Sequence, residues 1–136
     1  MTVAPQTTVA SDPREVVERY LSEVLGGSGP ATSEQLIANE ALRQRADLFR
    51  AAFPDLLVRP HVIVVDGEYV AVHLSGRATH RGLFKGVPAT GRTWTASCSA
   101  LFRVRHGQIA DYWMNWDQLA ILEQLGAQTR PSGPSA

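Results

Sequence analysis

Cys98 is the only cysteine in the chain. A single cysteine excludes an internal disulfide and any cysteine-based metal cluster, and a reducing, cytoplasmic setting is the natural expectation. Net charge of either sign is missing too: 13 basic and 13 acidic residues cancel. Neither nucleic acid nor an anionic membrane surface is therefore an expected partner. Lysine is almost absent, with Lys85 alone. No apolar run approaches membrane-spanning length. Residues 1–10 carry neither the basic start nor the apolar stretch of a signal peptide. His61, His73 and His106 show no metal-ligand spacing with carboxylates. The glycines from Gly82 to Gly91 lack the strand–turn–helix context of a phosphate cradle. No metal and no cofactor are expected.

What is present fits one domain: 136 residues can bury a core without staples. Residues 1–10 read as a loose leader, 11–127 as the folded domain, and 128–136 as a disordered tail rich in Pro, Gly and Ser. Asp12, Pro13 and Glu15 form a helix start with a capping box. Val16, Val17, Tyr20, Leu21, Val24 and Leu25 then mark one apolar stripe, which stops at Gly26-Gly27. A short second helix follows with Thr32 as its cap. Asn39 caps a third, which turns Leu42, Ala46, Phe49, Ala52 and Phe53 inward and ends at Pro54. From Val58 onward the pattern is strand: Val58–Val65, a turn at Asp66-Gly67, Tyr69–His80, a Gly/Pro-rich loop over Arg81–Arg92, Thr93–Arg105, a tight turn at His106-Gly107, and Gln108–Trp116. Gln118–Gln124 reads as a short closing helix. Helices first and a strand meander second make an α+β fold, a curled antiparallel sheet wrapped over helices with a blind apolar pocket.

The last hairpin points to a site. A two-residue turn at His106-Gly107 pairs Arg105 with Gln108, and counting back sets Asp117 opposite Ala96, Asn115 opposite Cys98 and Trp113 opposite Ala100. The inner face then carries Trp94, Ala96, Cys98, Ala100, Phe102 and Val104 beside Asp111, Trp113, Asn115 and Asp117. Tyr112, Met114 and Trp116 fall on the outer face. Small residues beside polar ones leave room for a ligand, and a carboxylate placed there gains proton affinity by desolvation. Two roles fit Asp117: proton acceptor in the pocket, or cap of the closing helix. Trp113 is either a flat wall for substrate or core filling. Cys98 reads as a small buried residue rather than a nucleophile. His80 shares the inward parity of Val70, Val72, Leu74, Gly76 and Ala78, and is either a donor at the pocket mouth or a pin for the following loop.

These residues carry a family resemblance. Ala52-Phe53-Pro54-Asp55-Leu56, Thr79-His80-Arg81-Gly82 with Phe84, Gly86, Pro88, Thr90, Gly91 and Arg92, Phe102-Arg103 with Gly107 and Ile109, and Trp113 with Asp117 and Leu122-Glu123-Gln124-Leu125-Gly126 together resemble the SnoaL-like polyketide cyclases, or ester cyclases. The resemblance spans roughly residues 12–127. It implies a cystatin-like cone-shaped barrel of the nuclear transport factor 2 type, shared with ketosteroid isomerase and scytalone dehydratase. It also implies ring closure by aldol addition without metal or organic cofactor, with Asp117 at the position of the family's acid/base aspartate. Two departures stand out: Gly26–Ser33 lacks the aromatic or acidic residue and the His-Pro often found there, and Ala89 replaces a common proline.

The resulting expectation is an acid/base enzyme on a small apolar carbonyl compound. Asp117, His80 and Asn115 would be catalytic, and Trp113, Ala96, Cys98, Phe102 and Phe84 would bind substrate. The alternatives are an isomerase, dehydratase or epoxide hydrolase on the same fold, or a non-catalytic binding module. Apolar Leu101, Tyr112, Met114 and Trp116 on the outer sheet face suggest a homodimer.

Overall fold

The computed structural model describes residues 12–27 and 30–127; the expected leader and tail lie outside the described residues. Helix α1 (Pro13–Arg19) starts with Pro13 at its first position, and Asp12 accepts the Arg14 N–H at 3.2 Å. The same apolar stripe continues over Tyr20–Leu25 in π-helical geometry, with Tyr20, Leu21, Val24 and Leu25 buried. Helix α2 (Pro30–Leu36) begins on its proline, so Thr32 lies inside the helix and not at its cap. Helix α3 (Glu40–Ala52) is capped by Asn39, which accepts the Leu42 N–H at 3.1 Å. Its buried stripe of Leu42, Ala46 and Ala52 leads into buried Phe53.

Strands β1 (Leu57–Asp66), β2 (Tyr69–Thr79), β3 (Thr93–Arg105) and β4 (Gln108–Trp116) form one antiparallel meander, followed by helix α4 (Gln118–Gln124). The sheet stays open, because β1 and β4 do not pair. Gly67 and Gly107, at φ of 59° and 75°, occupy left-handed turn positions where other residues are strained. Strict alternation along β2 and β3 turns Val70, Val72, Leu74, Ala78, Trp94, Ala96, Cys98, Ala100, Phe102 and Val104 into the core. Helix α1 packs over this face.

The last hairpin departs from the expected register. Arg105 pairs with Gln108 and Val104 with Ile109, as the tight turn requires, but Arg103 pairs with Asp111. Ala110 is therefore an extra residue, and the bulge moves every later residue of β4 to the opposite face. A tertiary contact accounts for it. The segment between α2 and α3 runs alongside, where Ala38 N–H donates to the Ile109 carbonyl at 2.9 Å and Asn39 Nδ2 donates to the Ala110 carbonyl at 3.1 Å. The backbone groups that the bulge takes out of the ladder thus find partners in the connector.

The consequence is a correction. Asn115 lies opposite Ser99, Trp113 opposite Leu101, and Trp116 opposite Cys98. Tyr112, Met114 and Trp116 pack into or against the core, whereas Trp113, Asn115 and Asp117 are exposed. The room beside the small inner residues is also filled. A Cβ on Gly76 would come within 2.6 Å of Trp116 Cη2, so the indole lies across Gly76, whose strand partner is Ala96. Ala96 and Cys98 stand beside an indole, not beside an empty pocket.

Candidate functional site

Each residue expected at the site has a definite place. Asp117 follows the last residue of β4, and its Oδ1 accepts the Ala120 N–H at 3.0 Å, which makes it the cap of α4. Asn115 and Trp113 sit on the outer sheet face, Trp113 half exposed. His80 is fully buried and acts as a loop pin. Its Nδ1 accepts the Thr90 N–H at 3.2 Å, its backbone N–H donates to the Arg92 carbonyl, and its carbonyl accepts the Gly91 N–H. The Thr90 bond places the neutral ring's proton on Nε2, which is buried without a partner. Phe102 is core, edge-on to Tyr20 at 5.4 Å. Burial pushes the Cys98 thiol up to about 12, so it is no nucleophile at neutral pH. Of the expected set, only Phe84 lines the cavity described next.

That cavity measures about 470 Å³, within the range of small-molecule sites. Helix α3 supplies one wall with Ala41, Gln44, Arg45, Leu48 and Phe49. The loop between β2 and β3 supplies the other with Leu83, Phe84 and Lys85, and Gln118 closes the end. Leu48 and Leu83 are 73% and 69% exposed, an unusual state for two large apolar side chains that face one cavity. Beneath them Phe49 stacks on Trp116 at 5.2 Å and meets Phe84 edge-on at 6.1 Å. The inward turn of Trp116 thus supports the cavity floor. The loop is held on the end of α3 by N–H bonds from Arg81 and Gly82 to the Ala52 carbonyl. A side chain at Gly82 would run into the Ala51 carbonyl oxygen at 2.4 Å, so this close approach needs glycine.

Charge in the cavity has one sign. Arg45 and Lys85 are its ionisable lining residues, and neither joins an ion pair among the described residues. Arg45 is half buried, and its charge acts on the buried Tyr20 and Cys98, opposing the burial that raises both pKa values. No three His, Cys, Asp or Glu side chains gather as a metal site among the described residues. A second cavity, about 320 Å³, is lined by Asp55, Arg77, Thr79, Thr95 and Gln124 among others. Its polar groups are largely spent on one another. Asp55 takes both Thr79 N–H and Oγ1–H, which holds its carboxyl below the ordinary value, and Gln124 bridges both backbone groups of Thr95.

The cavity had a signal in the sequence. Ala41, Gln44, Arg45 and Leu48 follow the i, i+3, i+4, i+7 spacing of one helix face, next to the core stripe of Leu42, Ala46 and Phe49. A stripe that mixes leucine with an arginine reads as an ordinary solvated flank until the loop is known to fold over it.

Comparison with known proteins follows this geometry. The family model of the SnoaL-like polyketide cyclases matches residues 8–125. No curated protein matches the chain. Among solved structures, IdmH from Streptomyces antibioticus is 27% identical, with a TM-score of 0.69 over 85% of this chain and 99% of that one. TsrD from Streptomyces laurentii is 22% identical, with a TM-score of 0.73 over 85% and 95%. A SnoaL-like polyketide cyclase from Agrobacterium tumefaciens is 20% identical, with a TM-score of 0.68 over 84% and 98%. The two more distant likenesses show the fold, helices held by a curled sheet of the SnoaL and nuclear transport factor 2 type. No helix among the described residues is long and apolar enough to cross a membrane. With a model match over most of its length, the chain belongs to the SnoaL-like polyketide cyclase family.

Proposed function

We propose that the protein is an acid/base enzyme that binds a small, largely apolar carbonyl compound between α3 and the β2–β3 loop. The reaction favoured by its family is an aldol-type ring closure. The observation that carries this reading is the open apolar cavity over Phe49 and Phe84, with Leu48 and Leu83 left exposed on its walls. Asp117 is the proposed proton acceptor. It immediately precedes Gln118, a lining residue, and only its Oδ1 is engaged by the helix cap. It would take the proton between two carbonyl groups, and the enolate would attack a third carbonyl carbon. The new alkoxide would recover the proton from Asp117. The assignment requires Asp117 to turn toward the bound substrate from its outward, capping position.

Hydrogen–deuterium exchange at the central carbon of β-diketones tests the reading, because it reports proton removal whatever bond forms next. Wild-type protein is expected to accelerate exchange, and Ala41→Trp, which fills the cavity from α3, is expected to abolish the acceleration. Exchange no faster than in buffer for every β-diketone tried would remove the enzymatic reading. A non-catalytic binding module is the second reading. It is favoured by one observation: among the described residues, no carboxylate and no histidine lines the cavity.

A homodimer through the outer sheet face is also proposed; of the residues the sequence pointed to, Leu101 stays on that face, while Tyr112, Met114 and Trp116 turn inward. Val64, Ala71, Leu101 and Trp113 form one row across all four strands. Val62, Val64 and Trp113 are each more than half exposed, at 53%, 57% and 51%. A two-fold dimer would set the same patch of each copy against the other. Light scattering at micromolar concentration is expected to give twice the chain mass, and Val64→Lys with Trp113→Lys to give the monomer mass. A monomer in the wild type would refute the proposal.

A further inference from the structure

The unpaired charge of the cavity says what kind of molecule it takes. Of the three arginines of helix α3, Arg43 and Arg45 have opposite fates. Arg43 pairs with Glu40 at 2.8 Å on the flank that also holds Asp47, along a separate polar groove. Arg45, two residues on, turns to the apolar cavity and meets no carboxylate among the described residues. Half-burying a guanidinium without a carboxylate partner costs solvation. On the facing loop stands Lys85, exposed and in the left-handed backbone region at φ 50°. Gln44 and Gln118 add only neutral polar groups.

We propose that the ligand of this cavity is an organic anion, with an apolar body against Leu48, Phe49, Leu83 and Phe84 and a carboxylate received by Arg45. Lys85 attracts the same group at the rim. A guanidinium accepts a carboxylate in a bidentate fork, whereas a lysine serves as a mobile point charge, so Arg45 fixes orientation and Lys85 assists entry. The inference rests on the small-molecule reading of the cavity and narrows it from neutral carbonyl compounds to acids. A neutral ester of the same shape would leave Arg45 unpaired and desolvated.

The test uses β-naphthoate and methyl β-naphthoate, which share an apolar body and differ in charge. Calorimetric titration of the wild type is expected to show the acid bound at least about tenfold more tightly than the ester, the scale of a hydrogen bond to a charged group. Arg45→Gln should remove that preference by weakening the acid, with the ester bound no more weakly than by the wild type, while Arg45→Lys should restore part of it. Circular dichroism on each variant establishes that it is folded. Added salt should weaken the acid and not the ester. Equal affinity for the two wild-type ligands, or equal losses for both in Arg45→Gln, would overturn the anion proposal while the cavity reading stands. Binding of neither ligand would overturn both.

Discussion

Asp117→Asn is expected to cut proton removal from a β-diketone by on the order of a hundredfold or more, the usual contribution of a positioned base, with the melting temperature nearly unchanged. The two halves of this result come from different atoms. Asp117 Oδ1 accepts the Ala120 N–H at 3.0 Å and so caps α4, and an asparagine Oδ1 does the same. Helix α4 therefore keeps its start. What asparagine cannot do is accept a proton. Asp117→Ala separates the roles from the other side: it removes the cap as well, with a cost of about 1 kcal/mol. Deuterium exchange rates and thermal melts of the three proteins decide the matter. If Asp117→Asn exchanges as fast as the wild type, the residue is a helix cap alone. If both substitutions lower stability equally and neither alters exchange, the base lies elsewhere. The outcome matters because the side chain is exposed and is not among the residues lining the cavity.

Most local signals in the sequence hold, with Thr32 as a helix cap the exception, and a tertiary one is invisible. Asp12, Asn39 and the tight turn at His106-Gly107 act through groups within a few residues, so helix starts and strand ends could be read from the order of side chains. The face of β4 could not. It depends on Ala110, whose carbonyl is bonded by Asn39, 71 residues earlier in the chain. Nothing around Ala110 announces a bulge, and one extra residue is enough to send Trp113, Asn115 and Asp117 outward and Trp116 inward. The cavity was hidden for a related reason. Arg45 and Leu48 look like solvated flank until Leu83, Phe84 and Lys85 cross over them, and the position of that loop is set by Gly82 against Ala51 and by buried His80. His80 does point inward, and its work is to shape the loop.

The inward turn of Trp116 carries the other large expected effect. Trp116→Ala should cost about 3–5 kcal/mol, the range for deleting a buried aromatic side chain, and lower the melting temperature by roughly ten degrees or more. The indole is 7% exposed, stacks on Phe49 at 5.2 Å and meets Trp94 edge-on at 5.7 Å. Its outer ring edge occupies the space over Gly76, where an added Cβ would approach Cη2 to 2.6 Å. Gly76 and Trp116 are therefore one packing unit, and substitutions at the two should not add. Gly76→Val alone is expected to destabilise, because its methyl groups meet the indole. In the Trp116→Ala background the same change should stabilise, because it fills part of the vacated volume and replaces glycine within a strand. Thermal melts of the two single variants and the double variant measure this reversal of sign. If Gly76→Val destabilises by the same amount in both backgrounds, Trp116 does not lie over Gly76. The bulge at Ala110 would then be absent, with Trp116 on the outer face. A reversal fixes Trp116 inside, and with it the aromatic floor of Phe49 and Phe84 on which the proposed ligand would rest.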